Sequence, residues 1–214
     1  IARAGHLAGD GVSIIKVAGA RGLGRSHSWY LIKHVANNTG VAEALKFDLV
    51  SATLANQRLD VLFETLVRNL KITDAKMPTS DGTTSDTLAA RFAEELAGCL
   101  ARAAGNWNKP YWLVFDSLDR DLRPEVKRFV SLLCRERLES MFGNCVIFLL
   151  GPDAVTEPED PGRSAEQELL TPFSAGEIRD AAIALNSLGR KTLQQSDLNL
   201  RISAAQALAQ QYSG

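Results

Sequence analysis

The sequence is poor in the residues that build covalent or metal cross-links. Its three cysteines, Cys99, Cys134 and Cys145, are odd in number and form no close pair. This argues against a disulfide framework and favours a reducing compartment, by default the cytoplasm. None of the three histidines has a cysteine or a carboxylate at metal-ligand spacing, so no structural zinc site is expected.

Long hydrophobic runs and an excess of charge of one sign are also missing. Strongly apolar stretches such as residues 145–150 fall far short of the ~20 residues that a bilayer span needs, so no membrane partner is predicted. Lys and Arg number 24 against 25 Asp and Glu, a formal net charge of −1. Proteins that bind nucleic acid mainly through charge carry a basic surplus, so nucleic acid is not supported as a partner.

The composition that is present fits a globular domain. The 214 residues are 45% hydrophobic and 23% charged, and folding at this length removes about 70% of the surface that an unfolded chain exposes. The sequence begins at Ile1, with no initiator Met and no signal-like segment. We therefore expect it to be part of a longer polypeptide.

Short apolar runs alternate along the chain with segments of helical periodicity. Strands are predicted at residues 12–18, 44–51, 111–115 and 145–150, with a short edge strand at 168–170. Helices are predicted at 26–35, 59–70, 88–105 and from 124, and another begins after the capping box formed by Ser174 and Glu177. The strands are apolar throughout rather than at every second residue, which predicts a parallel sheet covered by helices on both faces.

A glycine-rich loop follows the first predicted strand and precedes the first predicted helix. Gly19, Gly24 and Ser26 occupy fixed positions of the phosphate-binding pattern G-x-x-x-x-G-K-[ST], with Arg25 in place of the lysine. Gly22, inside the loop, adds to the number of amides that can point into one concavity, the helix start adds positive potential, and the hydroxyl can bind magnesium. The alternative interpretation is a glycine-rich turn between a strand and a helix.

The third predicted strand ends in a carboxylate. Residues 111–115 are apolar and Asp116 follows them. A carboxylate at such a place can hold a magnesium ion beside the hydroxyl of the glycine loop, because ligands of parallel sheets bind at the carboxyl ends of the strands. Taken alone, Asp116 is more often a cap or turn residue. The combination with the loop favours a nucleotide-binding fold.

At this strand end the chain resembles a known family. Phe115-Asp116-Ser117-Leu118-Asp119-Arg120 is similar to the D-x-L-D-[ER] form of the Walker B motif in STAND-type P-loop NTPases. These are relatives of the AAA+ proteins and serve as regulatory switches in multidomain signalling and defence proteins. Weaker matches lie at residues 46–49 and 170–178. The resemblance covers about residues 12–188, and only the two Walker-like motifs are specific.

The resemblance implies an architecture and a set of site residues. We expect a P-loop NTPase-like three-layer α/β fold, with a parallel sheet of about five strands and helices on both faces. Residues 1–170 would form this core and 171–214 a helical, lid-like segment. The implied cofactors are ATP and Mg²⁺. The residues implied to contact them are Gly19, Gly22, Gly24, Arg25 and Ser26 for the phosphates, and Ser26 and Asp116 for the metal.

The departures from the family pattern fall on its catalytic parts. The planar guanidinium of Arg25 does not reproduce the compact ammonium that fits close to the β- and γ-phosphates. Ser117 stands where many relatives carry a second carboxylate, and a serine cannot accept a proton from water at neutral pH. Asp119 can replace that carboxylate only if the turn brings it back towards the phosphate. Gly151, after the fourth predicted strand, offers no side chain that could sense the terminal phosphate.

Three defects in one site favour a degenerate member of the family, with weak or absent nucleotide binding and no appreciable hydrolysis. The expected function is a regulatory or interaction switch module, in a bacterial signalling or defence protein by resemblance. Its partner would be another protein or an effector domain in the same polypeptide. The alternative is an active Mg-dependent ATPase in which Arg25 replaces the lysine and Asp119 positions the water. A nucleic-acid-binding module would need a basic face, for which the cluster of Arg120, Arg123, Lys127 and Arg128 is a candidate; a solvated helix face is its favoured interpretation.

Overall fold

The computed structural model describes residues 13–19, 24–50, 58–79, 84–139, 141–151, 165–170, 174–188 and 194–211. Its strands are β1 (Ile14–Gly19), β2 (Glu43–Asp48), β3 (Tyr111–Asp116), β4 (Cys145–Leu150) and β5 (Ala165–Leu170). Its α-helices are α1 (Ser28–Thr39), α2 (Leu59–Asn69), α3 (Ser85–Ala103), α4 (Pro124–Leu138), α5 (Ala175–Leu188) and α6 (Gln195–Gln211). Single 3₁₀ turns, Arg25–His27 and Ala104–Asn106, lie before α1 and after α3.

Four of the strands form a parallel sheet. β2 pairs with β3, β3 with β4, and β4 with β1, each in parallel orientation, and the sheet runs in the order β2-β3-β4-β1-β5. Parallel neighbours need crossover connections, which the helices between the strands supply. The α/β fold with a parallel sheet is thus confirmed. Because the four strands run the same way, their carboxyl ends meet at one edge of the sheet.

Both faces of the central strands β3 and β4 are buried. Every residue of β3 and of β4 is buried, which explains why these strands are apolar throughout rather than alternating. Alternate strand residues, among them Leu113 and Ile147, pack with α2, α3 and α4 into one hydrophobic cluster. The intervening Trp112 and Phe148 are buried outside that cluster, with ring centroids 5.4 Å apart.

The helix predictions hold because their apolar stripes are the buried faces. In α2 the buried residues are Leu59, Leu62, Phe63 and Leu66. α3 begins at a cap in which the side chain of Thr84 accepts the Thr87 N–H, and α4 begins with Pro124 in its first turn. α1 runs on past the predicted end at residue 35 to Thr39. Gly40 caps it in a left-handed conformation and donates its N–H to the carbonyl of Ala36 at 3.0 Å.

Backbone contacts divide the chain into two compact units. One comprises Ile1–Ala18 and Arg25–Leu169, and the other Gly19–Gly24 and Leu170–Gly214. In the second unit, α5 starts with the predicted capping box: the Glu177 carboxylate accepts the Ser174 N–H at 2.8 Å, and the Ser174 hydroxyl accepts the Glu177 N–H at 3.2 Å. Gln206 of α6 donates to the carbonyl of Ala175 at 2.9 Å.

Candidate functional site

The candidate site lies at the carboxyl edge of the sheet. Asp48 ends β2 and Asp116 ends β3, and the two residues are paired in the parallel register. Side chains in register on neighbouring parallel strands share a face of the sheet, as does Lys46, two residues before Asp48. The edge therefore gathers two carboxylates and one ammonium group where the sequence pattern predicted a single carboxylate.

Asp116 is buried, with 2% of its surface exposed, and both of its carboxylate oxygens have partners. Oδ1 accepts the hydroxyl of Ser26 at 2.9 Å and the backbone N–H of Ser117 at 2.7 Å. Oδ2 lies 2.7 Å from the Nζ of Lys46. A buried carboxylate is tolerated when hydrogen bonds and an opposite charge replace its hydration, and Asp116 has both.

Ser117 connects the two acidic strand ends. Its hydroxyl donates to Oδ1 of Asp48 at 3.0 Å, and its backbone has a positive φ of 70°, a conformation that residues other than glycine adopt at a cost. The turn directs the Ser117 N–H back onto Asp116 and its side chain towards β2. Ser117 is therefore a hydrogen-bond bridge between the carboxylates of Asp48 and Asp116.

A second ion pair lies at the same edge. Arg25 Nη2 is 2.6 Å from Oδ2 of Asp119, with 15% and 25% of the two side chains exposed. Gly151, after β4, has a positive φ of 69°, and a Cβ placed there would lie 2.9 Å from Arg25 Nη1 and 3.3 Å from Asp119 Oδ1. Gly151 thus leaves the space that the ion pair occupies.

The structure brings together four of the predicted site residues: Arg25, Ser26, Asp116 and Asp119. It pairs Ser26 with Asp116, as a hydroxyl and a carboxylate that share a metal would require, and Arg25 with Asp119. The glycines at the two ends of the loop, Gly19 and Gly24, have positive φ angles of 144° and 85°. Gly22 lies outside the described residues, so its predicted contact with phosphate stays a prediction.

Sequence reasoning missed the site roles of Lys46, Asp48 and Gly151. The first two lie in a segment noted only as a weak family match. A signal was available, because a lysine interrupts a mostly apolar predicted strand two residues before an aspartate. Gly151 was noted only for the side chain that it lacks. Its role depends on its φ angle and on the position of Arg25, which sequence spacing does not give.

The magnesium ion that the family resemblance implies does not fit this arrangement of side chains. The ligand types are suitable, because Ser26 and Asp116 offer a hydroxyl and a carboxylate oxygen. However, Asp116 Oδ1 already accepts two hydrogen bonds, and the Lys46 ammonium contacts Oδ2 at 2.7 Å. In the described part of the chain, no three His, Cys, Asp or Glu side chains come together as a metal-ligand group.

The cysteines offer no reactive nucleophile in their folded positions. Cys134 and Cys145 are fully buried, and burial raises the pKa of each thiol to about 12. Burial and the hydrogen bond to Glu95 raise the pKa of the Cys99 thiol to about 11. Since the thiolate is the reactive form, cysteine chemistry does not contribute to this site.

Comparisons with known proteins relate the chain to others by fold alone. No family model matches the sequence, and no curated protein matches it. A chain in the structure of Drosophila ORC bound to DNA is similar, with a TM-score of 0.51 and 14% sequence identity over 95% of this chain and 47% of that one. At this identity the similarity supports the α/β fold with a parallel sheet and nothing beyond the fold.

Two further solved structures show weaker similarity. One is the E. coli MS115-1 HORMA:CdnC:Trip13 complex, with a TM-score of 0.47, 13% identity, and 93% of this chain and 58% of that one covered. The other is Stu0660 of Streptococcus thermophilus, with a TM-score of 0.40, 9% identity, and 82% and 76% covered. The chain spans about half the length of the matched chains in the ORC and HORMA:CdnC:Trip13 structures.

No helix in the described residues is both long and apolar enough to span a bilayer.

Proposed function

We propose that the chain is a P-loop-like domain with a degenerate nucleotide site, and that it acts as a regulatory or interaction switch module of a larger signalling or defence protein. Its partner would be a second protein or an effector domain of the same polypeptide. In this proposal the sheet corresponds to a five-stranded parallel core, and residues 171–214 correspond to a lid of the STAND type.

The observation that carries the proposal is the ion pair between Arg25 and Asp119, 2.6 Å apart. Arg25 stands where a P-loop places its phosphate-binding lysine, and Asp119 is the residue that the sequence offers for positioning a water. Each neutralises the other, so an incoming phosphate would have to displace a carboxylate from the guanidinium. A cation and a base that bind each other must separate before either can bind a phosphate or accept a proton, so their pairing weakens both functions.

One observation favours the alternative, an active Mg-dependent ATPase. The hydroxyl of Ser26 and the carboxylate of Asp116 are 2.9 Å apart, so two side chains of the kinds that bind magnesium in P-loop enzymes already adjoin each other. For this enzyme to work, nucleotide binding would have to release Arg25 from Asp119 and Lys46 from Asp116. We regard the two rearrangements together as the less economical account.

Calorimetric titration with ATP and Mg²⁺ separates the two proposals. We expect no binding heat for the wild type at about millimolar nucleotide, the range of the weakest specific affinities, and no phosphate release over hours. Asp119→Ala removes the partner of Arg25 and should raise any residual affinity for phosphate to a level that the titration can measure. The matched control is Glu94→Ala, which removes an exposed carboxylate of α3 outside the Arg25 pair.

Steady ATP hydrolysis by the wild type that disappears in Asp116→Ala would establish the ATPase instead. Tight ATP binding that disappears in Arg25→Ala, without hydrolysis, would leave a nucleotide-binding switch and reject the degenerate site. For the switch role, the readout is the output of the longer polypeptide that contains this chain. That output should be unchanged by ATP and altered by substitutions at the domain surface that contacts the effector.

A further inference from the structure

The buried carboxylate of Asp116 has a lysine as its ion-pair partner. Lys46 Nζ lies 2.7 Å from Oδ2, the oxygen not used by Ser26 and Ser117, and 24% of the lysine side chain is exposed against 3% of the aspartate. The ammonium group approaches from β2, the strand next to β3. A protein cation therefore contacts the carboxylate oxygen opposite the one that Ser26 and Ser117 use.

Charge balance explains why a cation is needed there. The register places Asp48 beside Asp116, and two neighbouring carboxylates repel each other unless a positive charge lies between or beside them. Divalent metal ions serve this purpose in many sites built from one or two carboxylates and a hydroxyl. Here the donor atoms for such a metal are present, but the positive charge is covalently attached to the chain.

We propose that Lys46 is an internal replacement for a divalent cation: its ammonium holds the Ser26–Asp116–Ser117–Asp48 network together without metal. The corollary is that removal of this ammonium uncovers a divalent-cation site on Asp116 and Ser26. The inference rests on the proposed degenerate site. It deepens that proposal by giving a reason why the site needs no Mg²⁺.

Substitution of Lys46 by methionine tests the inference, because methionine keeps an unbranched apolar stem and loses the charge together with the N–H donors of the ammonium. Mn²⁺ is the probe: its free form gives an electron paramagnetic resonance signal that disappears on binding, and it accepts the same oxygen ligands as Mg²⁺. We expect Lys46→Met to bind one Mn²⁺ per chain at least about tenfold more tightly than the wild type, a difference of ~1.4 kcal/mol. Added Mn²⁺ should also raise the thermal unfolding midpoint of this variant and not that of the wild type.

Three variants serve as controls. Lys46→Arg keeps a positive charge and should bind Mn²⁺ no better than the wild type does. Lys46→Met combined with Asp116→Asn removes the metal-binding carboxylate and should lose the gained site. Lys33→Met removes an exposed lysine of α1 that lies over the Trp29 ring, and it should bind Mn²⁺ as the wild type does.

Each remaining outcome contradicts the inference. Binding of one Mn²⁺ by the wild type that Asp116→Asn abolishes would show that Lys46 does not replace a metal. A folded Lys46→Met that gains no Mn²⁺ binding, or an unfolded one that Mn²⁺ does not restore while Lys46→Arg folds, would show that a divalent cation cannot substitute for the ammonium. All of these measurements are made without nucleotide. A failure of the inference about Lys46 is therefore distinguishable from a failure of the proposed function, which ATP hydrolysis would reject.

Discussion

The two ion pairs at the carboxyl edge of the sheet differ in how far water reaches them. In the pair between Lys46 and Asp116, the carboxylate side chain is 3% exposed. In the pair between Arg25 and Asp119, the carboxylate side chain is 25% exposed. Both pairs place a cation within 2.7 Å of an oxygen, so distance alone would rank them as equals. Burial separates them.

The comparison teaches that two ion pairs of similar length in one site can differ in their contribution to stability. A buried carboxylate cannot regain its hydration when its partner is removed, so breaking the pair from the cation side is costly. A partly exposed carboxylate can turn to water, and such pairs contribute about 0–1 kcal/mol. We therefore assign the Lys46 pair to the stability of the domain and expect little stability from the Arg25 pair, whose proposed effect is to compete with phosphate for the guanidinium.

The largest expected effect comes from Lys46→Met in metal-free buffer. It leaves the buried Asp116 without its cation, and we expect the free energy of unfolding to fall by about 3 kcal/mol. Asp116→Asn should cost less, because the side chain of Lys46 is 24% exposed and its ammonium can reach water. Chemical denaturation followed by circular dichroism measures both. A loss below about 1 kcal/mol in Lys46→Met would remove the distinction between the two pairs. Equal losses in Lys46→Met and Asp116→Asn would mean that the exposure of the Lys46 side chain does not reduce the cost of leaving it unpaired.

The next effect concerns the space around Arg25. Gly151→Ala introduces a Cβ 2.9 Å from Arg25 Nη1 at a residue whose φ is 69°. The left-handed backbone costs about 1–2 kcal/mol for an alanine, and the guanidinium has to move away from Asp119. Gly143→Ala is the matched control, because a Cβ there meets nothing within 4 Å, and it should change stability by less than about 0.5 kcal/mol. Equal stability of the two variants would mean that Gly151 adapts freely.

The sequence predicted well what depends on local pattern. The boundaries of β4, Cys145–Leu150, were predicted correctly because a run buried on both faces is apolar at every position. β2 was predicted to extend to residue 51, but it ends at Asp48, whose carboxylate accepts the N–H of Val50 at 3.3 Å and so starts a turn. Side-chain capping of this kind competes with strand pairing and leaves little trace in hydrophobicity.

Only part of the candidate site was predictable from the sequence. Ser26 and Asp116 follow from motif spacing, since both occupy fixed positions in a pattern with a chemical reason. The role of Lys46 depends on the register between β2 and β3, which pairs residues almost seventy positions apart, and sequence spacing carries no information about register. The departures from the motif were visible, but the contacts that accompany them were not.

A smaller effect is expected from the exposed pair itself. In a double-mutant cycle of Arg25→Ala and Asp119→Ala, we expect a coupling energy of about 0.5–1 kcal/mol that declines as salt is raised. The corresponding cycle of Lys46→Met and Asp116→Asn should give a larger coupling that depends less on salt, because buried pairs are screened less. A coupling at Arg25 as large as that at Lys46 would show that the pair at the loop also stabilises the fold.

The smallest effect is expected at the exposed capping box of α5, in the other compact unit. The hydrogen bond from the Ser174 N–H lowers the pKa of the Glu177 carboxyl below its usual 4.5. A carboxyl whose pKa is lower in the folded state stabilises the fold above its unfolded pKa, and this contribution is lost as the pH falls through the folded value. Glu177→Gln keeps the reach of the side chain without its charge. The wild type should therefore melt slightly higher than Glu177→Gln at pH 7, and the difference should disappear as the pH falls well below 4.5. A difference that persists in acid would mean that the cap acts through shape and hydrogen bonding alone, and charge would then matter at α5 even less than at Arg25.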